Sequence, residues 1–307
     1  MSLDLRHMPP QSLRDRRPRA SMLTAERIAA PMTCHGEGPF WDARGNRLLC
    51  VDLLAGAIVA INADGDVSRY EVPSPVASVI RRRASGGFVV ATERGIVVAD
   101  DQLSVFDQIA EVTRNPGVRT NDGGCDRSGG FVIGTMGYDE RPGAGAVYRL
   151  TPDHQVVEML APVSISNGVQ WSTDGTRAYY IDSPTRRVDV FDVDPVTGYW
   201  SGRRPHLHVD AEGVPDGMAV DEEDGLWVAL WGGGAVNHYD AAGRLVETVL
   251  VPGVTQVSSC AFGGHDRRIL YVTTSRVGLP DDREPDAGAV FAVTTGTRGA
   301  VEPEFAG

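Results

Sequence analysis

Short apolar runs recur along the chain at a nearly constant interval, and each run follows a turn rich in Asp, Gly or Asn. The starts of successive runs lie 40 to 48 residues apart. No segment shows a sustained helical period, so the pattern is typical of an all-β protein. The six runs are LLCVD, FVVAT, FVIGT, AYYID, LWVAL and ILYVT at residues 48–52, 88–92, 131–135, 178–182, 226–230 and 269–273.

Each run is followed by a second short strand pattern and often by a third, which makes one unit a four-stranded antiparallel meander. A repeat of 40 to 50 residues is the period of a β-propeller, whereas a β-sandwich requires no regular long period. We therefore predict an all-β, six-bladed β-propeller with four-stranded antiparallel blades over residues 24–307. Residues 25–29 could close the ring, residues 299–307 could pack nearby, and residues 1–23 read as a disordered N-terminal tail.

Four polar side chains precede the apolar runs at corresponding places in the repeat: Glu37, Asn121, Asn167 and Asp216. The loops entering the first strand of each blade meet at one end of a propeller axis, so we expect these side chains to converge. Two carboxylates and two amides form an oxygen-only set that suits Ca²⁺, Mg²⁺ or Mn²⁺ better than a structural zinc ion. A calcium ion that only stabilises the ring is the structural alternative.

Composition narrows the classes of function. With 41 acidic and 29 basic side chains the formal charge is −12, which opposes binding to nucleic acid and to anionic membranes. Every basic side chain is arginine, so lysine-dependent chemistry is excluded. The four cysteines form no C-x-x-C pair, and no G-x-S-x-G motif is present. No secretion signal or apolar stretch of membrane-spanning length appears, which favours a cytoplasmic location.

Three further groups of residues have simpler interpretations. His35 resembles the start of an H-x-E zinc motif but lacks the partner cysteines, so we expect it to cap a turn. The arginines at 81–83 are predicted to lie on a solvated strand edge. His238 is predicted to be a hydrogen-bonded structural histidine. Trp231 is predicted to lie in the core between blades, and a place at the border of the site is the alternative because it directly follows a strand.

Many spaced motifs resemble one known family, the six-bladed propellers that include senescence marker protein (regucalcin), gluconolactonase and luciferin-regenerating enzyme. The resemblance extends in order over everything after the N-terminal tail. The matching motifs include GEGP at 36–39, RTNDG at 119–123, GTM at 134–136, ISNG at 165–168, YIDS at 180–183, PDGM at 215–218, LWVA at 226–229 and FAG at 305–307.

The resemblance implies lactone hydrolysis at one divalent cation held by Glu37, Asn121, Asn167 and Asp216, with Asp216 as the general base. It further implies that Arg119, together with Asn121, contacts the sugar.

A family carboxylate shortly after Gly-Thr-Met also binds substrate. The corresponding segment contains both Asp139 and Glu140, and the sequence does not distinguish between them.

We therefore expect a metal-dependent sugar lactonase that hydrolyses an aldonolactone of the gluconolactone or pentonolactone type. Ca²⁺ is the expected cation, with Zn²⁺, Mn²⁺, Mg²⁺ and Fe²⁺ as alternatives. The expected partner is a small sugar lactone, with no nucleic acid and no membrane. Two other functions remain open: a calcium-dependent esterase or organophosphate hydrolase of the propeller type, and a non-catalytic calcium-binding protein.

Overall fold

Six β-sheets, arranged in the order of the sequence, make up the computed structural model, which describes residues 20–280 and 283–307. Each sheet contains four antiparallel strands, and one sheet carries an additional parallel strand at its edge. The predicted all-β, six-bladed β-propeller with four-stranded antiparallel blades is confirmed. All six predicted apolar runs lie in the second strand of their blades.

The strands are numbered in chain order, and β1 and β2 precede the first blade. Blades one to three contain β3 Gly36–Asp42, β4 Arg47–Asp52, β5 Ala57–Asn62 and β6 Val67–Glu71; β7 Ala77–Arg82, β8 Phe88–Thr92, β9 Gly95–Ala99 and β10 Phe106–Glu111; and β11 Val118–Cys125, β12 Phe131–Gly137, β13 Gly145–Leu150 and β14 Val156–Val163. Blades four to six contain β15 Ser166–Trp171, β16 Arg177–Asp182, β17 Arg187–Val193 and β18 Trp200–His208; β19 Val214–Val220, β20 Leu226–Trp231, β21 Ala235–Tyr239 and β22 Leu245–Leu250; and β23 Val257–Gly263, β24 Ile269–Thr274 and β25 Val290–Thr294.

The hydrophobic core lies between neighbouring blades. One cluster joins Leu49 and Ile58 of the first blade to Ile80 and Phe88 of the second. The second strands are therefore apolar on both faces, which explains the continuous apolar runs. The outermost strands are exposed on one face, and β6 alternates between exposed and half-buried residues.

The ring is closed by chain from before the first blade. Strand β2, Glu26–Arg27, pairs antiparallel with β25 and completes blade six, as predicted for residues 25–29. Strand β1, Ser21–Thr24, pairs in parallel with β22 of blade five. The folded part of the chain thus begins before the predicted boundary at residue 24, because β1 covers the edge of blade five. The rest of the predicted tail, residues 1–19, lies outside the described residues.

Two interpretations of charged residues have different outcomes. His238 stacks on Trp227 and lies 3.0 Å from Asp221, so the predicted structural role is confirmed.

Arg81 and Arg82 are buried, so the predicted solvated edge is wrong for them. Arg82 donates two hydrogen bonds to Asp42 of the neighbouring blade, and this buried carboxylate offsets the cost of burying the guanidinium.

Every first strand carries a β-bulge at the same register position. The residues 119–124 predicted as a loop lie inside β11, and their turn-forming residues make its bulge. The glycine of the Asp216-Gly217 pair is required by packing, because a Cβ at Gly217 would clash with Ser259 of the adjacent first strand. No helix in the two described ranges has the length and hydropathy needed to span a membrane.

Candidate active site

The bulges place six equivalent side chains around the axis of the ring. Two of them are serines that bond neighbouring first strands: Ser78 contacts Thr120 at 2.8 Å, and Ser258 donates to the carbonyl of Gly36 at 2.5 Å. The other four positions hold the predicted ligands Glu37, Asn121, Asn167 and Asp216, and all four line one cavity of about 200 Å³. The structure therefore brings these four side chains together.

Glu37 and Asp216 are buried carboxylates with no salt-bridge partner within 4.0 Å among the described residues. Burial raises the pKa of both carboxyls well above the usual range, and the charge of Asp216 raises the pKa of Glu37 further. Glu37 Oε2 accepts a hydrogen bond of 3.1 Å from the backbone N–H of Gly38. The charge of Arg119 opposes this shift for both groups. Burial and like charge therefore disfavour the ionised carboxylates, which a bound cation would stabilise.

A chain of hydrogen bonds crosses three blades beside these carboxylates. Arg119 Nη1 donates to Asn121 Oδ1 at 2.6 Å, and Asn121 Nδ2 donates to Asn167 Oδ1 at 2.8 Å. Asn167 Nδ2 in turn donates to Ser183 Oγ at 2.8 Å, and Ser183 donates to the carbonyl of Pro215 at 2.7 Å. Each amide oxygen thus accepts one hydrogen bond, that of Asn167 from a neutral amide and that of Asn121 from a guanidinium.

Arg119 is buried and lines the same cavity. Both N–H groups of its Nη1 are used, by Asn121 and by the carbonyl of Thr120 at 3.0 Å. Its Nε and Nη2 have no acceptor within residues 20–280 and 283–307. These remaining donors are available to a carbonyl or hydroxyl oxygen of a bound molecule.

The two carboxylates of the following loop have different surroundings. Glu140, at a φ of 53°, lines the cavity. Asp139 does not line it, and its Oδ1 accepts a hydrogen bond of 3.2 Å from the backbone N–H of Arg141. Of the two candidates that the sequence left open, only Glu140 faces the cavity.

Carboxylates at the ends of two second strands fix the chain that enters the site. Asp52 Oδ1 accepts hydrogen bonds from the N–H groups of Cys34 and His35 at 2.9 and 3.0 Å. Asp182 accepts in the same way from Ser164 and Ile165 in blade four. The backbone leading to Glu37 and to Asn167 is thereby held by equivalent contacts.

Sequence reasoning gave no site role to His35 or Ser183, and both line the cavity. His35 does not cap a turn: its Nδ1 lies 2.8 Å from Ser275 Oγ, and its ring meets Trp231 edge-on at 5.5 Å. Burial lowers the pKa of His35 to about 3, so the imidazole is neutral. The sequence signal for a site role of His35 was its position two residues before Glu37, since alternate residues of a strand share a face. Trp231 lies at the end of β20 and lines the cavity, which was the alternative interpretation of this residue.

Comparison with known proteins identifies the family. A family model described as the SMP-30/Gluconolactonase/LRE-like region matches residues 35–276. The chain belongs to this family. Regucalcin of Gallus gallus is 38% identical over 285 residues, which cover 89% of this chain and 95% of the relative.

Two solved structures of similar proteins share the fold over nearly the whole chain. A calcium-binding protein, regucalcin, from Agrobacterium tumefaciens is 29% identical, with a TM-score of 0.88 over 93% of this chain and 99% of that protein. A luciferin-regenerating enzyme is 31% identical, with a TM-score of 0.86 over 92% and 99%. The resemblance inferred from the motifs is confirmed.

The donors of this SMP-30/gluconolactonase-like site fit a hard divalent cation. Within the described ranges, no three His, Cys, Asp or Glu side chains form a metal-binding group, so a site rich in histidine or cysteine is not what this cavity offers. It offers two carboxylates without a salt bridge and the amide oxygen of Asn167, which accepts one hydrogen bond from Asn121 and has a second lone pair. Oxygen donors with a formal charge of −2 match Ca²⁺, Mg²⁺ or Mn²⁺.

Because the two buried carboxylates repel each other, Glu37→Gln should affect thermal stability in opposite directions without and with a divalent cation. Without a divalent cation, the thermal midpoint should rise, because one of two like charges is removed. With saturating Ca²⁺, the variant should lose most of the stabilisation that the wild-type protein gains on binding. Thermal unfolding in EDTA and in Ca²⁺ measures both effects.

Asp139→Asn is the matched control, because it removes the same charge just outside the cavity. It should behave like the wild-type protein in both conditions. A Glu37→Gln variant that keeps the full wild-type response to Ca²⁺ would contradict the assignment of Glu37.

Proposed function

We propose that this protein is a metal-dependent sugar lactonase that hydrolyses an aldonolactone to the aldonic acid. The family to which the chain belongs includes gluconolactonases in its description. The observation that carries the proposal is the arrangement of the cavity: two uncompensated buried carboxylates face the same space as the unpaired N–H donors of Arg119. Such a space suits a cation together with an oxygen-rich neutral ligand.

Glu37, Asn167 and Asp216 are the residues that would hold the cation. Asn121 would act beside them, since its oxygen is bonded to Arg119 and its amide group orients Asn167. Ca²⁺ is the proposed ion, because all the donors are oxygens and the similar protein from Agrobacterium tumefaciens is described as calcium-binding. When bound, the cation would polarise the lactone carbonyl and stabilise the negative charge that develops on its oxygen.

Arg119 and Glu140 are placed to bind the sugar. The free N–H groups of Arg119 donate to ring or hydroxyl oxygens, and the carboxylate of Glu140 accepts from hydroxyl groups. A small cavity that holds both hydrogen-bond donors and a carboxylate acceptor favours a ligand with several hydroxyl groups. An apolar ester would leave both charged groups unpaired.

Asp216 is the proposed general base. It lines the cavity and is buried, and no hydrogen-bond donor to its carboxylate is present within the described part of the chain. A bound cation would lower the pKa of this carboxylate, so its role as base depends on its position beside the attacking water. Asp216 would take the proton of the attacking water, and the opened lactone would leave as the acid.

Calcium binding without turnover is the second candidate function, and the description of the similar Agrobacterium tumefaciens protein supports it. A structural ion alone requires neither an open cavity of about 200 Å³ nor unpaired arginine donors beside it. Lactone hydrolysis accounts for both features.

Turnover of aldonolactones should depend on the divalent cation and on Asp216. The protein freed of metal by chelation should be inactive, and Ca²⁺ or another divalent ion should restore acid release from gluconolactone or a pentonolactone. Asp216→Asn should lower kcat by about 10²- to 10⁴-fold at saturating cation, because the proton acceptor is lost. The measurement is acid release in a pH-stat after subtraction of spontaneous hydrolysis.

Two outcomes would contradict this proposal. Equal activity in the chelated and loaded protein would exclude a metal-dependent reaction. Absence of turnover on the whole lactone panel, with the cation demonstrably bound, would favour the calcium-binding function.

The different positions of Glu140 and Asp139 predict different effects on substrate binding. Glu140→Gln should raise KM for the preferred lactone, because an amide is a weaker acceptor for sugar hydroxyls than a carboxylate. Asp139→Asn, one residue away, should leave KM and kcat unchanged, since an amide oxygen can still accept from Arg141. Steady-state kinetics of both variants make the comparison, and a larger effect from Asp139→Asn would reverse the assignment.

A further inference from the structure

The last nine residues, 299–307, cross the face of the propeller opposite the cavity, and we call them the C-terminal strap. The N–H of Gly299 donates to Arg267 in blade six, and the N–H of Ala306 donates to Gly129 in blade three. Between these ends the strap passes beneath the axis of the ring. The channel is therefore open at the cavity and covered by the strap at its other end.

The strap is anchored by an apolar and a polar contact. Phe305 is fully buried in the core cluster between blades two and three, where it packs against Phe131. Its backbone N–H donates to the carbonyl of Arg82 at 2.9 Å. Arg83 Nε donates to the carbonyl of Gly307 at 2.9 Å. These contacts fix where the preceding strap residues lie.

Arg81 lies inside the channel between the strap and the ring of candidate ligands. Its Nη1 donates to the carbonyl of Ile80 at 2.8 Å and, over a longer distance, to the carbonyl of Gly38 at 3.4 Å. Its Nη2 donates to the carbonyl of Gly123 at 3.3 Å. Gly38 directly follows Glu37, and Gly123 lies two residues after Asn121. One guanidinium thus bonds the backbone of two first strands next to two residues of the ring.

Glu302 of the strap supplies the carboxylate that pairs with this guanidinium. Its Oε2 lies 3.2 Å from Arg81 Nε, which makes the contact an ion pair, and this oxygen accepts no hydrogen bond within the described chain. The pair connects two segments 221 positions apart in the sequence. The guanidinium therefore contacts Glu302 on the side of the strap and the two glycine carbonyls on the side of the ring.

We propose that Glu302 and Arg81 form a positioning pair that sets the affinity of the ring for its divalent cation. Arg81 holds the two first strands in register, and Glu302 both orients the guanidinium and offsets its positive charge. Without Glu302, less of the positive charge of Arg81 would be offset, and this charge would weaken the binding of the divalent ion. This inference rests on the proposed cation site.

Glu302→Gln tests the pair, and Glu304→Gln is the matched control. Glu304 belongs to the same strap, but its carboxylate pairs with Arg44 at 2.7 Å at the more exposed rim. Ca²⁺ binding to the chelated full-length variants is measured by isothermal titration calorimetry. We expect Glu302→Gln to bind Ca²⁺ about 10-fold more weakly than the wild-type protein, and Glu304→Gln to bind within about twofold of it.

Arg81→Lys provides a second, charge-conserving test. Lysine keeps the positive charge but lacks the planar fork that reaches two backbone carbonyls, so Ca²⁺ binding should again weaken. Circular dichroism confirms that each variant is folded. If Glu302→Gln does not fold, Arg81→Lys decides the question.

The outcomes separate this inference from the proposed function. Wild-type protein that binds no Ca²⁺ would overturn both. Wild-type binding that is unchanged in folded Glu302→Gln, or is weakened equally by Glu304→Gln, would overturn the positioning pair and leave the lactonase proposal standing.

Discussion

The burial of Glu37 and Asp216 at one end of the propeller axis is the constraint that governs the site. Six first strands must approach the axis closely, and the bulge in each strand turns one side chain toward the centre. Four of these positions hold hard oxygen donors, and two of the four are carboxylates whose pKa values are raised by burial. In the proposed site, a bound divalent cation would relieve this repulsion.

The fold follows from the repeat of apolar runs, because a blade can bury its faces only against other blades. Convergence of Glu37, Asn121, Asn167 and Asp216 was predictable from the same topology, since equivalent positions of a closed ring meet at its axis. The prediction placed them on loops because Asn, Asp and Gly usually mark turns. In this ring the glycines provide space between adjacent first strands, as the packing of Gly217 against Ser259 shows.

Other features depend on contacts that no local pattern contains. Glu140 faces the cavity and Asp139 does not, a difference that depends on the path of the loop and not on the residue types. The occupied oxygen of Asn121 depends on the path of Arg119, which is fixed by three-dimensional packing. Arg81 appeared to be a surface residue because its partner Glu302 is 221 positions away in the sequence. The two ends of the channel are consequently linked by residues that the sequence analysis had treated as unrelated.

The central claim is that the ring binds one divalent cation through Glu37, Asn167 and Asp216. The most direct measurement is anomalous X-ray diffraction from crystals of the protein loaded with Mn²⁺. The account predicts a single strong anomalous peak at the ring, bonded to oxygen atoms of these three side chains. A ring without a peak in crystals that bind Mn²⁺ elsewhere, or a peak bonded to a different set of residues, would contradict it.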